Sequence, residues 1–177
     1  MRVRESQPDL SQQVPQQFLR FRLAPNLDLE TAIEIDRVTE LITIPLDRVV
    51  PMPHLPPAVM GVYNWRGEIL WIVDFSKLLG LKTQRSPHDN LTLKPTIVLS
   101  NLGAGGEIIS LGLVVDKIEE IEWCQTELVQ HLDAAQLSAL AINPNLIKGY
   151  WQSITGEELL VLDRQAIFNC TQLQSNI

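Results

Sequence analysis

Apolar and polar positions alternate with the short period of β structure along most of this chain. Phe18-Leu19-Arg20-Phe21-Arg22-Leu23 and Ile33-Glu34-Ile35-Asp36 alternate or nearly so, and Ile69 to Val73 and Leu159 to Leu162 are compact apolar runs rich in strand formers. Between two apolar runs, Leu102-Gly103-Ala104-Gly105-Gly106-Glu107 predicts a hairpin turn. Asp74 stands before Phe75-Ser76-Lys77-Leu78-Leu79 and Gly80, and Asp163 stands before Arg164-Gln165-Ala166-Ile167-Phe168 and Asn169. Both stretches predict an aspartate N-cap, one or two helical turns and a stop.

The pattern recurs. AIEIDRVTEL, from Ala32, matches GLVVDKIEEI, from Gly112, in the order apolar, apolar, variable, apolar, Asp, basic, apolar, variable, Glu, apolar. QFLRF from Gln17 lies a similar distance before TIVLS from Thr96. Further along, Gly61 pairs with Gly149, Gly67-Glu68 with Gly156-Glu157, and Asp74 with Asp163. Two copies of one plan follow, each of five short strands. A small open sheet leaves exposed edges, so closure into two small barrels is the expected architecture. The fold class predicted is all-β: two five-stranded barrels related by an internal repeat, with short helices. The boundaries expected are a flexible tail over 1–16, one domain over 17–170 with barrels near 18–82 and 94–165 that are free to exchange strands, and a second tail over 171–177. Thr83 to Asn90 (TQRSPHDN) is read as the polar linker between copies.

Composition narrows the function. The 177 residues are 45% hydrophobic, and the formal net charge of −7 disfavours nucleic-acid backbones and anionic lipid. No apolar run reaches the length of a membrane span and Met1 to Gln17 has no signal-peptide centre, so a cytoplasmic protein with no membrane insertion is expected. Cys124 and Cys170 are isolated and are read as reduced, space-filling thiols.

Catalytic and cofactor patterns are missing. His54, His88 and His131 have no ligand or base at a useful spacing, and no nucleophile elbow or phosphate-binding glycine motif occurs. The glycine-rich stretch after Leu102 lacks the following Lys-Ser or Lys-Thr that a phosphate loop needs. Glu119, Glu120 and Glu122 alternate with Ile118, Ile121 and Trp123 and are read as the wet side of a plain or bulged strand, not as a cation site. No enzyme, cofactor or metal is expected.

In GVYNWRGEILWIVDF (Gly61 to Phe75), an arginine beside a glycine precedes the apolar run. The pseudo-copy GYWQSITGEELLVLD keeps both glycines and the closing aspartate but has Ile154-Thr155 before its second glycine. The fold accounts for what the copies share. Asn64-Trp65-Arg66, which they do not share, points to a partner, because Arg combines several directional donors with a stem that packs on apolar surface.

IDRVTEL at Ile35 to Leu41, VPMPHLPPAVMGVYNWRGEILWIVDFSKLLGL at Val50 to Leu81, GLVVDKIEEI and IKGYW together resemble the CheW family, the receptor-to-kinase coupling proteins of chemotaxis-type signalling. The resemblance runs from about Phe18 to Phe168 with its motifs in order. Trp65, Trp71 and Phe75 depart from the Leu, Pro and Leu common in the family. The resemblance implies two intertwined barrels of the Src-homology-3 type and a non-enzymatic adaptor that stands alone, without a kinase or receiver domain. Its implied partners are the cytoplasmic tip of a methyl-accepting receptor, bound in a groove between the barrels, and the regulatory domain of a CheA-type histidine kinase, bound through barrel surfaces. Carried over by motif position, Val38, Glu40, Asn64, Arg66 and Gly67 fall on coupling positions, Trp65 lies among them, and Val114 and Val115 are groove candidates. The output that the resemblance implies is chemotaxis, phototaxis or pilus-driven motility. A different reading makes the inter-barrel groove a small-molecule sensor walled by Trp65, Trp71, Trp123 and Trp151.

Overall fold

The computed structural model describes residues 15–25, 29–81, 93–103 and 105–171. Most of the expected N-terminal tail, the linker Thr83 to Asn90 with His88, and nearly all of the expected C-terminal tail lie outside the described residues.

Among the described residues, ten strands form two five-stranded sheets. They are β1 (Gln16–Arg22), β2 (Glu30–Glu34), β3 (Val38–Pro45), β4 (Val59–Trp65), β5 (Glu68–Asp74), β6 (Leu93–Leu102), β7 (Ile108–Val114), β8 (Lys117–Cys124), β9 (Ile147–Gln152) and β10 (Glu158–Leu162). Barrel 1 has the order β3-β6-β7-β5-β4 and barrel 2 the order β8-β1-β2-β10-β9. Neither barrel is built from one half of the sequence. The hairpin β1–β2 closes the barrel made by β8, β9 and β10, whereas β6–β7 closes the barrel made by β3, β4 and β5. Parallel contacts of β10 with β2 and of β5 with β7 join each exchanged hairpin to its host.

Both exchanged hairpins are buried on two sides. On β1, Leu19 and Phe21 face a large core shared between the barrels, together with Ile33 of β2, Ile97 and Leu99 of β6, and Leu111 and Leu113 of β7. The alternate residues face a barrel interior: Phe18 and Ala32 meet Cys124, Trp151, Leu159 and Val161 in barrel 2, and Val98 and Val114 meet Ile44, Leu70 and Ile72 in barrel 1. Strands apolar on both faces are stable only when covered twice, and the exchanged position covers them. Burial of each large side chain contributes roughly 1.5–3 kcal/mol, so the shared core ties the barrels into one unit.

The repeated glycines serve backbone approach. A Cβ on Gly61 would lie 2.1 Å from the Val50 carbonyl oxygen, and one on Gly149 would lie 2.3 Å from that of Gln130. These are the points where Val50 pairs with Val62 and Gln130 pairs with Tyr150. The repeated aspartates cap helices as expected: Asp74 Oδ1 accepts from the Lys77 amide at the start of α1 (Phe75–Leu78), and Asp163 Oδ1 accepts from the Ala166 amide at the start of α3 (Arg164–Cys170). Between them α2 (Ala134–Leu140) was not anticipated, although Asp133 and Gln136 form a capping box that the sequence carries openly.

Candidate partner-binding site

Asn64, Trp65, Arg66 and Gly67 lie together at the β4–β5 hairpin. Trp65 and Glu68 are the last paired residues, so Arg66 and Gly67 are the two central turn residues. Both have left-handed backbones, with φ of 56° at Arg66 and 87° at Gly67, the combination a type I′ hairpin requires. Asn64 Oδ1 accepts from the Gly67 amide at 3.0 Å and fixes the turn. An arginine is an expensive choice here, because a left-handed L-residue other than Asn or Gly costs about 1–2 kcal/mol.

The side chain uses that position. Arg66 lies over the Trp65 ring with its guanidinium carbon 5.3 Å from the centroid, and its Nη2 donates to Glu40 Oε1 at 2.8 Å. The Arg66 side chain keeps 70% of its exposure in spite of both contacts. Trp65 packs against the barrel 1 core, and Glu40 projects from β3 on the same side as core residues Ile42 and Ile44. A cation, an aromatic face and a carboxylate are therefore presented at one end of barrel 1. Two apolar residues of the β6–β7 hairpin, Leu102 and Ile108, are paired with one another and exposed.

Other site expectations fare differently. Val38 is half-buried against the shared core, at the bulge where β3 meets β6. Val114 and Val115 correct the groove expectation: they are 4% and 2% exposed, Val114 in the barrel 1 core and Val115 in the shared core. Leu23, Leu111 and Leu113 fill the space between the barrels at that level, so neither valine reaches a surface. The four tryptophans do not gather either. Trp65 covers barrel 1, Trp71 the shared core and Trp151 the barrel 2 interior, while Trp123 is exposed.

The glutamates of β8 also require correction. The strand is bulged, but Ile121 and Trp123 face solvent while Glu122 is tucked in with its side chain 13% exposed. The reason is Arg20, a residue the sequence reading overlooked. Its buried guanidinium meets Glu30 at 3.1 Å, Glu122 at 3.2 Å, Glu157 at 2.7 Å and Glu120 at 3.9 Å. Arg22 adds Glu30 and Glu119, both at 3.3 Å. The Arg20 hydrogen bond holds the Glu157 carboxyl below the usual range, and Lys117 does the same for Glu119. Burial pushes the Cys124 thiol up to about 11, consistent with a space-filling role.

A family model for the CheW-like domain matches residues 17–172. The chain belongs to the CheW-like domain family. Over 71 residues it is 38% identical to a chemotaxis protein CheW of Rhizobium meliloti (strain 1021), a stretch covering 40% of this chain and 40% of that relative. The crystal structure of the scaffolding protein TtCheW from Thermoanaerobacter tengcongensis superposes with a TM-score of 0.67 at 18% identity, covering 88% of this chain and 93% of that one. The fold is therefore shared with that structure over 88% of this chain. No helix among the described residues is long and apolar enough to cross a membrane.

Proposed function

We propose that this CheW-like protein is a non-enzymatic, cytoplasmic adaptor that couples methyl-accepting receptors to a CheA-type histidine kinase, serving chemotaxis, phototaxis or pilus-driven motility. The observation that carries the reading is Arg66. It occupies a left-handed turn position where the backbone favours Asn or Gly, yet its side chain stays exposed on a Trp65 platform. A residue kept against its backbone preference is retained for its side chain, and a stacked arginine with free donors is a typical interface anchor.

In this reading Trp65 and Arg66 contact the kinase's regulatory domain, Glu40 orients the guanidinium, and Asn64 and Gly67 hold the turn. Val38 supports β3 beneath Glu40. The receptor tip takes a surface other than the one built from Val114 and Val115, because both are buried. A small-molecule sensor is the weaker reading, since the tryptophans it needs lie in three separate packing environments and on the exterior.

Co-purification with the regulatory domain of a CheA-type kinase tests the proposal. Arg66→Glu should weaken binding about thirtyfold or more, the loss of one hot spot of roughly 2 kcal/mol, with an unchanged circular dichroism spectrum. Undiminished binding would remove Arg66 from the interface.

A further inference from the structure

The outer faces of the two barrels carry different residues on the same framework. In barrel 1, Val50 pairs with Val62 of β4 and Val62 pairs with Trp71 of β5, so the three form one cross-strand row. Ile69 stands two residues before Trp71 and therefore projects to the same side, with Asn64 opposite it. Leu70 and Ile72 point the other way, into the barrel 1 interior, so the row faces outward. The matching row of barrel 2 is Gln130, Tyr150 and Leu160, and Glu158 pairs with Gln152 at the places of Ile69 and Asn64.

In barrel 2 this face is suited to water. Tyr150 donates to Gln130 Oε1 at 2.5 Å, Glu158 and Gln152 are exposed, and Leu160 is buried. In barrel 1 the same places are apolar and open: Val50 is 59% and Ile69 66% exposed, Val62 and Trp71 are half-buried, and Met52, two residues after Val50, is exposed as well. Single apolar residues on a strand surface need no partner, but a contiguous set centred on a tryptophan is the kind of surface that one covers. Folding does not demand it, because barrel 2 holds Gln, Tyr and Glu at the places of Val50, Val62 and Ile69. The row also adjoins the Arg66 turn, since Asn64, which fixes that turn, is the residue opposite Ile69. An apolar centre with a cation at its edge has the anatomy of an interface core and its rim.

We propose that the Val50–Val62–Trp71 row with Ile69 is the apolar core of the surface that binds the kinase's regulatory domain, with Arg66 on its rim. The partner then presents an apolar face bordered by a carboxylate that receives Arg66. This inference rests on the kinase-coupling reading of Arg66 and extends it from one turn to a face of barrel 1. Barrel 2, with Glu158 and the Tyr150–Gln130 pair on the matching face, is excluded from the same contact, because burying Glu158 against an apolar partner would leave a carboxylate without water or a cation.

The test is calorimetric titration of the full chain with the regulatory domain of a CheA-type kinase. Trp71 itself is left in place, because it also packs on the shared core and its truncation would mix folding with binding. Ile69→Glu, and Val50→Gln with Val62→Tyr, give barrel 1 the residues of barrel 2, while Glu158→Ile makes the reciprocal change. Ile69→Glu should weaken binding at least about tenfold and the Val50, Val62 pair about fivefold, whereas Glu158→Ile should leave it within about twofold. Should Ile69→Glu not show a cooperative unfolding transition, Ile69→Thr carries the same test with an expected loss of about threefold. If Arg66→Glu weakens binding but the Ile69 and Val50, Val62 variants do not, the apolar row is overturned while the coupling reading stands. If the unaltered chain does not bind the domain at all, both fall together. A free protein that sediments as a dimer, and as a monomer once Ile69→Glu is made, assigns the face to a second copy and overturns the proposal.

Discussion

Barrel 1 and barrel 2 share a strand order, a close-approach glycine, a glycine-containing hairpin and an aspartate-capped helix, yet their ends differ in kind. At one end of barrel 2 buried Arg20 is enclosed by Glu30, Glu122 and Glu157, so the charges are satisfied within the molecule. At the matching end of barrel 1, Val98 replaces Arg20 inside, and the cation has moved to the turn, where Arg66 stands exposed on Trp65. The same scaffold encloses an arginine among its own carboxylates in one copy and offers one outward in the other. A guanidinium surrounded by carboxylates is committed, whereas one bonded to a single half-exposed Glu40 can exchange that bond for a partner's.

The features common to both barrels should be the most sensitive. Gly61→Ala combines a left-handed φ of 142° with a Cβ 2.1 Å from a carbonyl oxygen, and should cost about 4 kcal/mol. Gly149→Ala meets a similar obstruction, for which no left-handed backbone adds strain, and should cost about 2–3 kcal/mol. Urea denaturation of the two variants measures the difference; equal costs would mean that contact, not backbone conformation, governs both sites.

Arg20→Ala should cost about 3 kcal/mol, because the largely buried Glu122 loses its cation and Glu30 keeps only Arg22, the figure being lowered by the exposure of Glu120 and Glu157. Val98→Ala, at the matching place in barrel 1, should cost about 2 kcal/mol as an ordinary core truncation. Denaturant midpoints decide it, and a reversed order would show that the network contributes little.

Acid should separate the barrels as well. Glu157 and Glu119 have folded-state pKa values below the usual 4.5, so their stabilisation is complete above that value and is lost as pH falls through the lower, folded values. The melting temperature should therefore fall as pH drops below about 4.5, and Arg20→Met should flatten the part of the profile due to Glu157. An unchanged slope would separate that carboxylate from Arg20.

The smallest effect has the opposite sign. Arg66→Asn gives the type I′ turn a residue that tolerates left-handed geometry, at the loss of one exposed ion pair, and should raise stability by about 0.5 kcal/mol while weakening kinase binding. A loss of stability would mean that the Trp65 and Glu40 contacts outweigh the backbone cost.

Much of this was legible in the chain. Period-two patterning, the repeat, the paired glycines and the capping aspartates identify strands, hairpins and helix starts because each depends on neighbours close in sequence. The difference between NWRG and SITG marked the turn at which the candidate site lies. Arg20 was not legible: in the alternating stretch Phe18 to Leu23 it has the appearance of a solvent-facing residue, and its carboxylates other than Glu30 lie far away on β8 and beside β10. Val114 and Val115 failed as surface residues for a related reason, since a strand apolar on both faces does not reveal what covers each one.

The sequence by itself determined the local elements, the two-copy plan and the asymmetry between the copies, because propensity, capping and turn geometry act over a few residues. Only the tertiary structure decided which hairpin joins which barrel, which arginine is buried and which is presented. Those outcomes depend on burial and on charge pairing between segments more than a hundred residues apart, and desolvation has no local signature in the chain.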